Sequence, residues 1–170
     1  WLDEIHGFPR ALSELEISQL ALLSAPSNTV SLQISGDPQA YGAPTPLNYG
    51  AHWVTQAQEM TNTVSSPVET AVGIRQVCQG WVGSGSVPAS GSTCSVVFTP
   101  ETNSLLTWKW GTEFRLMVQA DGGGSFSGTT GWISQGTTVQ LTAIPSNGYH
   151  FALWSGDVSV NQSTQSTLEV

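Results

Sequence analysis

Residues 136–156 carry the clearest alternation of apolar and polar positions in the chain. Val139 and Leu141 alternate with polar neighbours, which is the period-two pattern of a half-buried strand. Residues 145–148 have the sequence Pro-Ser-Asn-Gly, which predicts a turn because proline presets φ and Asn-Gly tolerates positive φ. A second alternation follows the turn, at Tyr149, Phe151 and Leu153. The stretch therefore predicts a β-hairpin with one aromatic face.

A looser copy of this pattern lies upstream. Residues 50–57 repeat the Gly-x6-Ala spacing of residues 136–143, and an apolar strand precedes the glycine in both copies. The first copy carries an insertion, residues 60–71, which we expect to form an added edge strand or a long surface loop. Other matching positions are Trp81 and Gly83 in the first copy, and Trp154 and Gly156 in the second. Such self-similarity predicts two tandem units.

The combined pattern of an apolar strand, Gly-x6-Ala, Pro-x-x-Gly-Tyr-x-Phe and x-Trp-x-Gly resembles the divergent internalin-type B-repeat, a small β-grasp-like unit. We assign the resemblance to residues 30–170. Residues 114–170 carry the whole pattern, whereas the first copy lacks the Pro-x-x-Gly-Tyr turn. The resemblance implies modules strung in tandem in secreted and cell-surface bacterial proteins, and it brings no catalytic residues.

The N-terminal residues have a different pattern. Alternation over residues 1–8 predicts a strand, and Ser13 with Glu16 forms a capping box that predicts a short helix after it. The order Asp-Glu-Ile, Arg-Ala-Leu-Ser, Glu-Ile resembles the final strand and closing helix of laminin-G-like, concanavalin-like jelly rolls. In that family the acid matching Asp3 sometimes helps to hold calcium. A solvated or hydrogen-bonded acid is the alternative, because calcium takes about six to eight oxygens.

These assignments predict an all-β chain of two tandem small β-grasp-like modules with a short N-terminal strand–helix tail. We also expect both ends to be cuts through a longer protein, because the chain opens at Trp1 without Met and stops inside an apparent strand. The predicted parts are the jelly-roll tail at 1–24, a linker at 25–29, a first module at 30–112 and a second module at 113–170.

The two cysteines fall on predicted strands on either side of a Gly/Ser-rich turn. A hairpin closing around Ser86 would bring Cys78 and Cys94 opposite one another. Two states stay open: a disulfide, worth about 3 kcal/mol in the chain-entropy model, or two buried free thiols. Two cysteines alone do not make a zinc site, and we expect no metal or cofactor.

Alternation also marks the segment that ends the first module. Leu106, Trp108 and Trp110 share one face, and Gly111 with Thr112 predicts a turn before the second module. With so short a connection, Trp108 and Trp110 are expected to pack in the core or at the junction between modules. The alternative makes the two side chains a ligand platform, because aromatic faces stack on carbohydrate.

Composition excludes several classes of partner. Only 9% of residues are charged, against about a quarter in soluble domains, and the net charge of −8 leaves no cationic patch. We therefore expect neither nucleic acid nor anionic lipid as a partner. No apolar run reaches the roughly 18 residues that a membrane span needs.

No catalytic constellation is visible either. The three histidines are scattered without metal-ligand spacing, and the glycine-rich residues 121–128 lack a phosphate-loop motif. We therefore expect a non-catalytic structural or adhesion segment, extracellular or at a bacterial cell surface. Its expected partners are neighbouring repeats, copies of itself, a carbohydrate or another surface protein. Two alternatives are a carbohydrate-binding module and a filament subunit whose terminal strand, residues 167–170, pairs with the next copy.

Overall fold

The computed structural model describes residues 28–157 and 163–170, and every regular element within them is a β-strand. The all-β prediction is therefore confirmed for this part of the chain. The predicted jelly-roll tail, its helix and Asp3 lie outside the described residues. The strands are β1 (Thr29–Asp37), β2 (Gly50–Thr55), β3 (Met60–Thr63), β4 (Val68–Ala71), β5 (Ile74–Ser84), β6 (Ser90–Gly91), β7 (Ser95–Phe98), β8 (Ser104–Leu116), β9 (Gly124–Ser127), β10 (Gly131–Ser134), β11 (Gln140–Pro145) and β12 (Thr167–Glu169).

The largest sheet is arranged around β8. Its order is β2-β1-β8-β5-β4, with β6 added to β5 and β10 added to β8. Strand β1 runs parallel to β8, and its other neighbour, β2, is antiparallel to it. Strand β5 pairs antiparallel with β8 from Ile74 opposite Phe114 to Ser84 opposite Leu105. Strand β5 thus flanks β8 along most of its length, and β1 flanks its other side as far as Lys109.

Alternation along these strands builds the first cluster of buried side chains. Leu32 and Ile34 of β1 and Trp108 of β8 are all at most 1% exposed, and each lies two or four residues from other buried positions on its strand. The short β3–β7 sheet supplies more of the cluster through Val96 and Phe98. The first cluster consists of Leu32, Ile34, Val54, Val64, Cys78, Trp81, Val87, Val96, Phe98, Leu106, Trp108 and Trp110.

A smaller sheet, in the order β12-β11-β9, forms the rest of the described structure. Leu141 of β11 lies opposite Leu168 of β12, and both are buried. The second cluster consists of Val139, Leu141 and Leu168, with Leu116, Val118, Phe126, Ile133 and Trp154 packed against it. Leu116 and Ile133 belong to β8 and β10, so the larger sheet contributes to this cluster as well.

The structure contradicts the turn predicted at Gly111 and Thr112. Strand β8 is continuous there, with Gly111 paired to Val77 and Thr112 to Gln76. A partner strand that extends past both residues supplies hydrogen bonds that hold the backbone extended, so the local turn preference is overridden. The predicted modules are consequently joined by an unbroken strand. Their division at residue 112 and their β-grasp-like character stay predictions.

The hairpin predicted over residues 136–156 is also wrong in its second half. The turn is present, since the Tyr149 amide donates to the Ser146 carbonyl over 3.0 Å, but residues 149–155 are not a strand. Strand β11 has β12 on one side and β9 on the other, so no free edge remains for a hairpin partner. Instead, Phe151 and Trp154 pack ring on ring with centroids 5.6 Å apart.

The insertion at residues 60–71 forms two strands. Strand β4 is an edge of the main sheet, as one of the two alternatives predicted, while β3 pairs with β7 in a separate sheet. Within residues 28–157 and 163–170 there is no helix with the length and apolarity needed to cross a bilayer.

Candidate functional site

The candidate site is the place where β5, β8 and β10 meet, between the two clusters. Strand β1 pairs with β8 only as far as Lys109, and β10 takes the same side of β8 from Glu113 onward. Glu113 therefore has Arg75 of β5 as its partner on one side and Ser134 of β10 on the other. We call Arg75, Glu113 and Trp132 the strand junction.

Arg75 connects the three strands through its side chain. Its Nε and Nη2 atoms both lie 2.6 Å from Oε2 of Glu113, and the guanidinium carbon is 4.3 Å from the centroid of the Trp132 ring. The ion-paired side chains are only 26% and 20% exposed, so solvent screens them less than it screens a surface pair. A cation over an aromatic face contributes about 0.5–2 kcal/mol, depending on its desolvation.

The backbone reinforces the same junction. The Arg115 amide donates to the Gly73 carbonyl over 2.9 Å on one side of β8, while Arg115 pairs with Trp132 on the other side. The Gln135 amide also donates to the Thr112 carbonyl over 2.8 Å. Bending the chain here requires these hydrogen bonds to break together.

The strand junction was not predicted, although the sequence holds a signal for it. Residues 131–134, Gly-Trp-Ile-Ser, form a strand too short for alternation to stand out. In a chain with 9% charged residues, however, an Arg on a predicted strand and a Glu at the start of the next predicted module are an unusual pair. Opposite charges paired across strands stabilise a sheet, and that rule could have placed Arg75 beside Glu113.

An open apolar cleft of about 280 Å³ lies near the junction. Phe114, Leu116 and Ile133 line it from β8 and β10, and Val139 and Val170 line it from the smaller sheet. The cleft is therefore a gap between the β8–β10 ribbon and the strands of the second cluster.

Trp108 and Trp110, the predicted junction or platform residues, lie inside the first cluster. Trp108 is fully buried and its Nε1 donates to Oδ1 of Asn62 over 3.3 Å. Trp110 is 5% exposed, so neither ring has a face free for a carbohydrate. The ligand-platform interpretation is thus wrong for these two residues. The core alternative describes them, because both belong to the first cluster of buried side chains.

Two tyrosines, Tyr41 and Tyr49, cover Trp110 at one end of the first cluster. Trp110 Nε1 donates to the Tyr49 hydroxyl over 3.3 Å, and the Tyr49 hydroxyl donates to the Tyr41 carbonyl. The Tyr41 and Trp110 rings meet edge to face with centroids 6.0 Å apart. Burial raises the pKa of the Tyr49 hydroxyl above its ordinary value of 10.0, although both hydrogen bonds oppose the shift.

The two cysteines lie side by side as free thiols. The Cys94 thiol points at the Cys78 carbonyl, with Sγ 3.9 Å from the oxygen, and Cys78 Sγ lies 4.0 Å from the Thr93 carbonyl. Burial and the hydrogen bond with Cys94 raise the pKa of the Cys78 thiol to about 12. The structure thus brings both residues together as the sequence predicted, and the disulfide itself stays a prediction.

The remaining candidates from the sequence are a metal site, a histidine and the terminal strand. Among the described residues there is no group of three or more His, Cys, Asp or Glu side chains that could hold a metal ion. His52 lies with its Nε2 atom 2.7 Å from the Asn48 carbonyl. The terminal strand proposed for filament assembly is β12, which pairs with β11 of the same chain and buries Leu168.

Comparison with known proteins gives one finding. Residues 114–170 match the model of the divergent InlB B-repeat domain, a family found in bacterial surface proteins. The predicted resemblance is therefore confirmed for this segment, which begins inside β8. A search of curated proteins and a search of solved structures each found no match. The resemblances of residues 30–113 to the same repeat and of residues 1–24 to a jelly roll stay predictions.

Proposed function

We propose that this chain is a non-catalytic structural segment of a bacterial surface protein, a stiff stretch of a repeat stalk that presents or joins other domains. The match of residues 114–170 to a repeat family of bacterial surface proteins supports the location. The continuous strand β8, which contributes to both clusters of buried side chains, carries the proposal of stiffness.

The argument for stiffness concerns what bending would break. Two units joined by a flexible linker reorient without losing contacts, whereas here the connection is a strand paired with β5 as far as Phe114 and with β10 from Glu113 onward. A bend at residues 112–115 would separate β8 from β5, from β10, or from both. The same motion would pull Arg75 away from Glu113 and Trp132, so a local hinge is opposed by hydrogen bonds and by side-chain contacts.

Rotational diffusion of the whole chain in solution tests this stiffness. Backbone ¹⁵N relaxation of strand amides should give one shared tumbling behaviour for β1, β5 and β8 and for β9, β11 and β12. Two separate correlation times for the two groups of strands would refute a stiff connection.

A pair of matched variants identifies what provides the stiffness. Arg75→Ala removes the ion pair and the stacked cation at the junction. We then expect different rotational correlation times for β1, β5 and β8 and for β9, β11 and β12. Lys109→Ala removes the other described ion pair on β8, with Asp37, away from the junction. That control should tumble like the parent protein, and equal behaviour of both variants would assign no role to Arg75.

The surface location has its own test. Antibodies raised against the folded chain should label intact cells of the producing bacterium. Labelling only after the cells are permeabilised would place the protein inside and overturn the proposed role.

The observed contacts do not favour the two alternative functions. A filament built by exchanging residues 167–170 would need to detach β12 from β11 and expose Leu168. A carbohydrate platform needs adjacent exposed aromatic faces. Among the described tryptophans only Trp53 is more than about 40% exposed, while Trp132 is covered by Arg75.

A further inference from the structure

We propose that Cys78 and Cys94 are a disulfide-forming site that ties the main sheet to the β3–β7 sheet, and that oxidation begins at Cys94. Cys78 lies on β5 of the main sheet, and Cys94 directly precedes β7. A bond between them would close the segment that includes the turn after β5 and the short strand β6.

The β5–β6 hairpin returns the chain towards Cys78. Strand β6 pairs antiparallel with β5, with Trp81 opposite Gly91 and Val82 opposite Ser90. The backbone beyond Gly91 stays close to β5, since a Cβ built at Gly80 would lie 2.7 Å from the Ser92 Cα atom. The paired positions end at Trp81, so the contacts of the thiols themselves locate Cys94 beside Cys78.

Contacts at the thiols place the two cysteines together. Cys94 Sγ is 3.9 Å from the Cys78 carbonyl oxygen, and Cys78 Sγ is 4.0 Å from the Thr93 carbonyl oxygen. The Cys94 sulfur therefore lies beside the backbone of Cys78, and the Cys78 sulfur lies beside the residue that precedes Cys94. Both residues also pack against the first cluster, which fixes their positions before oxidation.

The two thiols differ in access, and this difference sets the order of reaction. Cys78 is 8% exposed and is surrounded by the first cluster, whereas Cys94 is only half-buried. An external oxidant therefore reaches Cys94 first. The raised pKa of the Cys78 thiol, about 12, also keeps that sulfur protonated while the first step takes place.

The reaction is thiol–disulfide exchange with a small-molecule disulfide as oxidant. The Cys94 thiolate attacks one sulfur of the oxidant, the oxidant's S–S bond breaks, and one thiol leaves after taking up a proton. Cys78 then loses its proton as its sulfur attacks Cys94 Sγ, and the second thiol leaves. The cysteines lose two electrons and two protons in total, and the oxidant gains them as two thiols.

Alkylation under denaturing conditions, read by intact mass, tests whether the bond forms. The folded, reduced chain is incubated with glutathione disulfide, unfolded in iodoacetamide and weighed. We expect no alkylated cysteine in this sample and two after a reducing step. Two alkylated cysteines without reduction, or a chain carrying two glutathione adducts, would overturn the proposed site.

Single-cysteine variants test the order. Folded Cys78→Ser should gain one glutathione at Cys94, whereas folded Cys94→Ser should gain none at Cys78. Unfolded Cys94→Ser serves as its control and should react, since burial alone protects Cys78. Equal modification of the two folded variants would overturn the order.

A measurement on the parent chain covers the case in which a variant fails to fold. The reduced protein receives a limiting amount of iodoacetamide, and peptide mass mapping then locates the label. The label is expected at Cys94, and a first label at Cys78 would contradict the proposed order.

Discussion

At the scale of single residues, the first cluster depends on a buried polar side chain, Asn62. Its Nδ2 donates to the Leu47 carbonyl over 3.0 Å, and its Oδ1 accepts from Trp108 Nε1 over 3.3 Å. Asn62 is 0% exposed, so one amide satisfies two groups that water cannot reach. It also connects β3, the loop before β2 and the central strand β8.

Replacing Asn62 should therefore be costly. Asn62→Ala leaves a carbonyl and an indole N–H buried without partners, and each unsatisfied group costs about 1–3 kcal/mol. We expect the free energy of unfolding to fall by about 2–4 kcal/mol in urea titrations. Asn48→Ala, the same change at an exposed position in that loop, should alter it by less than about 0.5 kcal/mol. Similar losses in the two variants would deny Asn62 its special role.

Cys78 predicts how stability depends on pH in the reduced protein. Its pKa is about 12 in the folded chain against an ordinary 9.0, so the folded state holds the proton more tightly than the unfolded state. The stabilisation is complete below pH 9 and is lost as the pH rises from 9 towards 12. Urea titrations should show a steeper fall in unfolding free energy over this range for the reduced parent than for Cys78→Ser. Parallel curves would mean that the thiol is not buried as described.

At the scale of elements, a β-bulge in β5 decides which side chains reach the first cluster. Cys78 pairs with Trp110 and Gly80 with Lys109, so Gln79 is an extra residue on β5. Simple alternation from Cys78 would send Trp81 to the opposite face of the sheet. The bulge restores the inward direction, and Trp81 is 7% exposed.

Gly80 is the residue that permits the bulge, and its replacement tests this account. It has φ of 113°, and a Cβ built there would lie 1.9 Å from the Gly91 carbonyl oxygen. Gly80→Ala should lower the free energy of unfolding by about 3 kcal/mol or more, because strained backbone alone costs about 1–3 kcal/mol. Gly50→Ala is the matched control, with φ of 126° and no atom within 4 Å of its Cβ. Equal costs would show that the contact with Gly91 contributes nothing.

Sequence patterns located most strands but not their partners. Alternation identified β1, β5 and the first half of β8, since each has one face on the first cluster. The same alternation after residue 148 predicted a strand that does not exist, because both edges of β11 are occupied by distant strands. Likewise Gly111 and Thr112 have a local preference for a turn, and the pairing of β5 overrides it. Local periodicity does not indicate which distant strand a segment will pair with.

In the candidate site, too, the contacts within one hairpin were predictable from the sequence and the contacts between distant strands were not. The register of the β5–β6 hairpin was predictable from a turn centred near Ser86, and with it the proximity of Cys78 and Cys94. The strand junction was not, because Arg75 and Trp132 meet only through β8, which lies between their strands. The sequence left a ligand-platform role open for Trp108 and Trp110. Their burial excludes that role, and burial depends on how the sheets assemble, which local patterns do not reveal.

At the scale of the whole molecule, the two clusters differ greatly in size. Among the described residues, the first contains twelve buried side chains and the second contains three, Val139, Leu141 and Leu168. Apolar burial is the main stabilising contribution to folding, so the part of the chain around the second cluster is stabilised less than the part around the first. Part of its remaining support comes from Leu116 and Ile133, on strands of the larger sheet.

Native-state hydrogen exchange should resolve this difference. We expect amides of β9, β11 and β12 to exchange through an opening whose free energy is lower than that of β1 and β5 by at least about 2 kcal/mol, the contribution of one fully buried side chain. Leu141→Ala should lower the opening free energy of β9, β11 and β12 further and leave that of β1 and β5 unchanged. One common opening energy for all strands would show that the two clusters unfold as a single unit.

The few positive charges of this chain have one more consequence. Of its four basic residues, Arg10 lies outside the described part, and Arg75, Lys109 and Arg115 all lie within paired strands, β5 and β8. Proteases that cut after Lys or Arg need an unpaired, extended segment in their active site, which these positions do not offer while the sheet is intact. Tryptic cleavage at Arg75, Lys109 or Arg115 should therefore proceed only as fast as the strands open. A protein exposed to extracellular proteases would gain lifetime from keeping its cleavage sites inside a sheet.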